Sequence, residues 1–332
     1  MRVRLFGFKV VFAFGLALSL GGCFLEKAVV EQPPNTMSAE DCGTCHKNEF
    51  REWKKSPHAQ AWVSETFRQQ TDGYQTTKCL TCHRPDPIYG IEDPKKITAR
   101  KENANEGVTC VTCHLTPESE IGGPHLVLPA HYVKSSDDYY LDSKQCGVCH
   151  QAHYQDWKKT EKSMVSKKLE TCQDCHMPAV RRKLIVEQLF QYVHWENDTK
   201  KHTFEPQPDP ISKAEPWFVA THRILPLHRD GLPIEVVIRH NLPHGVPAGI
   251  FGFKTVDMLV TLKTAEGLTV EQQHLVFHAE NKKNMPIGQD YKKIFNFSKE
   301  VLVKAEYIEI SLSRRNSRLH LGKQIFIQQT RL

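Results

Sequence analysis

Five short segments of the 332-residue chain combine side chains that can do chemistry: Cys42-Gly43-Thr44-Cys45-His46, Cys79-Leu80-Thr81-Cys82-His83, Cys110-Val111-Thr112-Cys113-His114, Cys146-Gly147-Val148-Cys149-His150 and Cys172-Gln173-Asp174-Cys175-His176. In each, two thiols two residues apart can form thioethers to the two vinyl groups of one haem, and the adjacent imidazole then meets the iron from one face. Given the chain's own Cys and His content, chance supplies roughly 0.02 such motifs. Zinc sites pair CxxC units without an obligatory histidine. A thioredoxin-like dithiol needs one motif in a βαβ unit. Neither explains a histidine after every pair, so the spacing predicts five covalently bound haem c groups (iron).

The elements around these motifs must be unusual. Residues 42–176 would hold five haems at 27 residues each. So little polypeptide cannot enclose each macrocycle separately, so the porphyrins must supply much of the apolar core and lie close together. The expectation is of short, irregular helices joined by loops, with few strands. Electrons can then pass along the haems without a mobile carrier.

Composition agrees with a globular chain of about two domains: 39% of residues are hydrophobic and 25% charged, which excludes disordered, collagenous and polytopic membrane classes. Ten of the eleven cysteines lie in the motifs, leaving none for a disulfide framework. The formal charge of +6 is not a nucleic-acid footprint. Loss of an N-terminal leader containing Arg2, Arg4 and Lys9 leaves +3, and ten propionates against five ferric cores bring the total to about −2.

That leader is residues 1–22: a charged start, an apolar run from Val10 to Leu20, and Gly21-Gly22 before Cys23. The run is short for a membrane span and has the form of a secretory signal. Leu20-Gly21-Gly22-Cys23 resembles a bacterial lipobox, which makes Cys23, the one cysteine outside the motifs, the lipid-attachment residue. Several acyl chains anchor stably where one is marginal. Phe24 follows, with no aspartate, favouring outer-membrane over inner-membrane sorting on the periplasmic side. Residues 23–38 read as a flexible tether.

An internal repeat organises the haem region. Cys42–Lys55 reads CGTCHKNEFREWKK and Cys146–Lys159 reads CGVCHQAHYQDWKK. Phe50 matches Tyr154 and Trp53 matches Trp157, four and seven residues after the haem histidine, on one helical face suited to packing on porphyrin. The copies then diverge, so that His58 aligns with Lys162, with Met164 two residues on.

The pattern CxxCHxxxFxxWxxSxHA at Cys42–Ala59 resembles multihaem cytochromes c of the cytochrome c-554-like family, the tetrahaem electron acceptors of hydroxylamine oxidoreductase. The segments Gly107–His114 and Cys172–Pro178 share the resemblance, which covers roughly residues 40–180; five motifs rather than four are a departure. It implies that His58 is a distal iron ligand, to a neighbouring haem rather than its own. It also implies electron transfer, mostly at bis-histidine irons, with an open catalytic haem in some members.

Thirteen histidines remain for the five distal positions. His125 and His131 follow the third motif in a loop that can reach back to an iron. His153 is too near His150 to reach the other face of the same haem, though it can serve another. His194 and His202, after the last motif, are further candidates. His222, His228, His274, His278 and His320 read as ordinary surface or core residues.

After Pro206, Pro208 and Pro210 the texture changes. Ile234, Val236 and Ile238 alternate, as do Met258, Val260 and Leu262; Val301 and Val303, then Tyr307, Ile308 and Ile310, and Ile325 and Ile327 follow. Period-two runs between turn residues predict an antiparallel β-sandwich. The expected architecture is therefore α+β and multidomain: a pentahaem domain over 39–204, irregular and mostly helical, then a β-sandwich over 217–332. Within the latter, His240-Asn241-Leu242-Pro243-His244-Gly245-Val246-Pro247-Ala248-Gly249 resembles a turn in β-domains of multihaem cytochromes whose histidine ligates a haem, which makes His244 a candidate ligand.

Together these readings describe an exported, lipid-anchored five-haem electron-transfer protein. Its partners would be other redox proteins: a quinol dehydrogenase, a periplasmic oxidoreductase or further cytochromes, with no nucleic acid and an oligomer left open. No general acid, base or nucleophile is needed, so no residue is assigned as catalytic. One alternative is an oxidoreductase acting on a small nitrogen or sulfur species at an open fourth haem, where Lys162, Lys167 and Lys168 could attract an anion. Another is a subunit of an outer-membrane or extracellular electron conduit.

Overall fold

The computed structural model describes residues 36–124, 133–135, 137–165, 171–186, 192, 194–205, 216–228, 231–249, 254–280, 283–315 and 322–332. Cys23, His125, His131, Lys167, Lys168 and His320 lie outside these residues, as do the side chains of Lys162 and Met164. The chain divides into two compact units, one of residues 1–148 with 176–205 and the other of 149–175 with 206–332.

The first unit holds short helices: α1 (Ala39–Gly43), α2 (Lys47–Lys54), α3 (Gln60–Val63), α4 (Glu65–Gln70), α5 (Leu80–His83), α6 (Cys110–His114), α7 (Asp137–Tyr140) and α8 (Lys144–Gly147). Two pairs of short strands accompany them: β1 (Ile121–Gly123) with β2 (Val133–Ser135), parallel, and β3 (Ala179–Lys183) with β4 (Glu196–Lys200), antiparallel. Such brief helices are marginal alone, so local chemistry starts them. The Ser38 hydroxyl accepts from the Asp41 N–H while the Asp41 carboxylate accepts from the Ser38 N–H, opening α1 with a capping box. Thr109 and Thr112 do the same for α6.

In this unit the only cluster of buried apolar residues among those described is Ala39, Trp53 and Ala59, edged by Phe50, Cys110 and Phe204. That is far too little to fold so many residues. Polar side chains fill part of the role. Arg100, buried, donates through Nε to Glu102 O, through Nη1 to Pro85 O and Thr112 Oγ1, and through Nη2 to Asn103 O and Gly107 O.

The second unit contains α9 (Gln151–Val165), α11 (Val301–Lys304) and two antiparallel sheets. A five-residue helix, α10 (Cys172–His176), crosses from it into the first unit. One sheet runs β5 (Phe218–Ile224), β6 (Leu232–His240), β9 (Tyr291–Phe297). The other runs β11 (Lys323–Arg331), β10 (Tyr307–Arg315), β7 (Thr255–Lys263), β8 (Thr269–His278). One core of nineteen buried residues draws on both sheets, with Ile234, Val236 and Ile238 from β6, Met258, Val260 and Leu262 from β7, and Ile308, Ile310 and Leu312 from β10. The expected α+β character is present. One run differs: Val301–Lys304 is a helical turn rather than strand. In a strand Val301 and Val303 would share a face, yet Val301 is buried and Val303 is 89% exposed.

Candidate haem sites

Each CxxCH motif sits on or beside a short helix, so one turn presents both thiols and the imidazole together. In the first unit the histidines of three motifs share one arrangement. Nδ1 of His46 stands 3.0 Å from Leu184 O, Nδ1 of His83 2.7 Å from Ala61 O, and Nδ1 of His114 2.8 Å from Gly122 O. A carbonyl only accepts, so each Nδ1 carries the proton and each Nε2 the lone pair. This is the tautomer of a histidine that ligates metal through Nε2, with its other nitrogen oriented by an outer-shell carbonyl.

Aromatic rings fix the same imidazoles. Phe67 stacks on His83 at 4.0 Å between centroids, and Tyr140 on His114 at 5.3 Å. The Tyr140 hydroxyl donates to Cys113 O at 3.3 Å. The thiols are not alike: the hydrogen bond with Cys110 holds Cys42 below the ordinary thiol range. Burial pushes Cys113 up to about 11. A hydrogen bond with Cys42, with burial, raises Cys110 well above the ordinary thiol range. The Cys42–Cys110 contact also brings the first and third motifs together. Porphyrin fits these sites: paired thiols suited to thioethers, imidazoles with Nε2 left for a metal, and one small apolar cluster among the unit's described residues.

The repeat is realised as matched aromatic pairs. Phe50 and Trp53 rings lie 5.8 Å apart with 29° between planes, and Tyr154 and Trp157 6.2 Å apart with 10°. Trp53 and Trp157 are both buried. The carboxylates preceding the tryptophans also correspond, and the sequence reading passed over them. Glu52 Oε2 accepts the backbone N–H of His202 at 2.9 Å. Its counterpart Asp156 accepts, through Oδ2, the backbone N–H of Gly245 at 3.4 Å. In each copy a carboxylate on the motif's helix tethers a histidine-bearing segment from far along the chain.

Arg182 on β3 completes the Glu52 site. It donates to both Glu52 oxygens, at 2.5 and 2.9 Å, and its Nε lies 2.9 Å from Glu49 Oε1. Burial pushes Glu52 up, but the hydrogen bonds from Arg182 and His202 outweigh it and hold this carboxyl below its ordinary range. For Glu49, burial dominates and the shift is upward. His202 itself is lowered to about 4, by burial first and by the nearby His114 second.

His58 lies with its ring 4.2 Å from that of Phe204. Its carbonyl accepts from Val108 N and Ala61 N, both at 3.1 Å, so this segment meets the strand of chain entering the third motif. Gly107 (φ +65°) permits the approach, because a Cβ there would fall 2.5 Å from His58 O. His194 precedes β4.

In the second unit, the loop carrying His244 lies along α9. Thr160 Oγ1 donates to Pro243 O at 3.2 Å, and a Cβ on Gly249 would meet His153 Cε1 at 3.2 Å. The His153 ring stands 5.6 Å from His150 and 5.7 Å from His244. His244 Nδ1 is 3.2 Å from Gly245 O, and burial lowers its pKa. His244 and His153 thus gather beside the fourth motif. His222, on β5, hydrogen-bonds Thr330 on β11 of the other sheet, and His274, on β8, hydrogen-bonds Asp257 on the neighbouring β7.

Residues 41–115 match the family model "Cytochrome c554 and c-prime". No curated protein sequence matches the chain. Among solved structures, the chain is similar to a penta-heme cytochrome c552 from Thermochromatium tepidum, at 15% identity and TM-score 0.60, covering 91% of this chain and all of that one. Residues 41–115 thus resemble that cytochrome family and the chain shares the fold of a penta-heme cytochrome, both in keeping with the five CxxCH motifs and their Nε2-directed imidazoles.

Proposed function

We propose that the protein carries five haems, one at each motif, and passes electrons along them between redox partners on the periplasmic side of a bacterial membrane. The observation that carries this reading is the first unit's thin core: among its described residues one buried apolar cluster is found, Ala39, Trp53 and Ala59, while others such as Phe67, Ile88 and Ile97 lie outside it. Porphyrins supply that apolar volume. The Cys42–Cys110 contact supports edge-to-edge haems, since the first and third macrocycles hang from touching sulfurs. Residues 1–22 direct export, Cys23 bears the lipid, and the two sheets of the second unit form a β-sandwich serving as a docking or assembly surface.

The placement of His244 beside α9 supports a six-coordinate fourth iron with His244 as its second axial ligand, and so favours a carrier over a catalyst. The test is the mass of the mature holoprotein followed by its ferric spin state, read by optical and electron paramagnetic resonance spectroscopy, with and without nitrite, hydroxylamine or sulfite. Five haems, all low-spin and indifferent to these ligands, are expected. A high-spin signal that shifts on ligand addition would establish the catalytic alternative, and fewer than five haems would end the pentahaem reading.

A further inference from the structure

The rings of His114 and His202 face each other across a defined distance: their centroids are 6.2 Å apart, with 33° between planes. An imidazole nitrogen lies about 1.2 Å from its ring centre and binds a transition metal at about 2.0–2.1 Å, so two trans imidazoles on one metal hold their centroids about 6.4–6.6 Å apart. Packed ring pairs in this protein span 4.0 to 6.3 Å, so the spacing admits a shared metal and the nitrogen chemistry carries the assignment.

The nitrogen chemistry agrees with the spacing. His114 gives Nδ1–H to Gly122 O, and His202 gives Nδ1–H to Lys200 O at 3.0 Å. Both rings therefore carry their lone pair on Nε2. The support behind His202 is elaborate for a surface histidine. Its backbone N–H is held by Glu52 Oε2. The β3–β4 hairpin that delivers it is pinned by Arg182 to Glu52 and Glu49, and closed by Lys201 N donating to Pro178 O at 2.9 Å.

We propose that Nε2 of His202 is the second axial ligand of the haem held by Cys110, Cys113 and His114. Glu52 and Arg182 are its positioning residues. The inference rests on the haem-bearing reading of the third motif and extends it. The ligand follows the fifth motif by 26 residues, so the third haem closes only after the fifth motif has emerged and its hairpin has docked on α2.

The test uses the full-length holoprotein. In His202→Gly, one haem in five turns from low-spin to high-spin, and added imidazole restores it. In His202→Met, one haem acquires a histidine–methionine signature and a higher potential. His194→Gly leaves the spectrum unchanged. Glu52→Gln, which keeps a side-chain acceptor, retains all low-spin signals but alters the g-values of one. Mass spectrometry of the Cys110–Cys113 peptide separates the possible failures. A haem-bearing peptide with an unchanged spin state in His202→Gly and no histidine–methionine signature in His202→Met overturns the ligand assignment alone. A peptide without haem overturns the assignment and the five-haem reading together. Should His202→Gly fail to mature, His202→Met decides the matter by the presence or absence of the histidine–methionine signature and the raised potential.

Discussion

Arg100 offers a stringent test of how the first unit holds together. A guanidinium has five N–H donors, and all five are matched: Glu102 O at 2.9 Å, Pro85 O and Thr112 Oγ1 at 3.3 Å, Asn103 O at 3.2 Å and Gly107 O at 3.0 Å. The side chain is 3% exposed. Arg100→Met keeps the apolar stem but removes all five bonds; Pro85 O, Thr112 Oγ1 and Asn103 O keep donors in Thr112 Oγ1, Thr109 N and Glu106 N, whereas Glu102 O and Gly107 O lose theirs. Hydrogen bonds to a charged group contribute about 1.5–3 kcal/mol each, and an orphaned buried acceptor costs about 1–3 kcal/mol. Some carbonyls will recover water, and the desolvation cost of the cation disappears with it, so the net loss should be on the order of 3–5 kcal/mol. For a unit of this size that corresponds to a thermal midpoint lower by roughly 6–20 °C. The assay is thermal unfolding of the holoprotein by far-ultraviolet circular dichroism, with Arg100→Lys falling between wild type and Met. A midpoint within about 2 °C of wild type would refute the argument, showing that haem attachment rather than this polar hub holds the loops before the third motif.

Gly107→Ala places a Cβ against His58 O at a φ of +65°; a loss of about 2–4 kcal/mol in stability, with a perturbed haem spectrum, is expected in chemical denaturation. Ile308, fully buried between the sheets, should lose about 2–5 kcal/mol on replacement by alanine, seen as a lower urea midpoint at unchanged slope. Asp257 is pushed up by burial but held below its ordinary value by Arg315 and His274. Its folded pKa lies under the unfolded one, so its contribution is complete above the unfolded value and drains away as pH falls through the folded one. Asp257→Asn should therefore flatten the acid limb of the stability profile below about pH 4, and an unaltered limb would contradict the ion pair's role.

Much of the haem chemistry was legible because it is local. Two cysteines and a histidine within five residues specify a site without knowledge of the fold, and the Phe50/Trp53 and Tyr154/Trp157 pairs follow from helical spacing alone. Strands β6, β7 and β10 were legible from alternation, since each presents one face to a core. Val301–Lys304 was misread because two valines two apart suit a strand, whereas the chain makes a single turn there that buries one and exposes the other. Distal ligands were hard to read because they are matters of tertiary geometry. His202 differs from His194 only by where a hairpin sets it, and the Glu52 carboxylate that holds it resembles any exposed helix charge. The aligned pair Glu52 and Asp156 was the available signal, visible in the repeat but outweighed by the aromatic residues beside it.

The orienting contacts of the proximal histidines have a consequence for how this chain folds and for its redox chemistry. His46 is oriented by Leu184, 138 residues away, His83 by Ala61, 22 away, and His114 by Gly122, only 8 away. Loop closure costs more for the longer spans, so the third motif can be set locally while the first waits for the end of the haem region. Thioethers at Cys42, Cys45, Cys79, Cys82, Cys110 and Cys113 would hold each haem independently of this order, leaving the later segments to orient the rings. All three orienting groups are neutral carbonyls. They fix the tautomer and raise the basicity of Nε2 less than a carboxylate would. The differences among the three irons must then arise from their second ligands, from burial and from nearby charge. On that argument the Arg182–Glu52–Glu49 cluster, set beside the segment that delivers His202, separates the potential of the third haem from those of its neighbours, and Arg182→Gln should shift one potential while leaving the others in place.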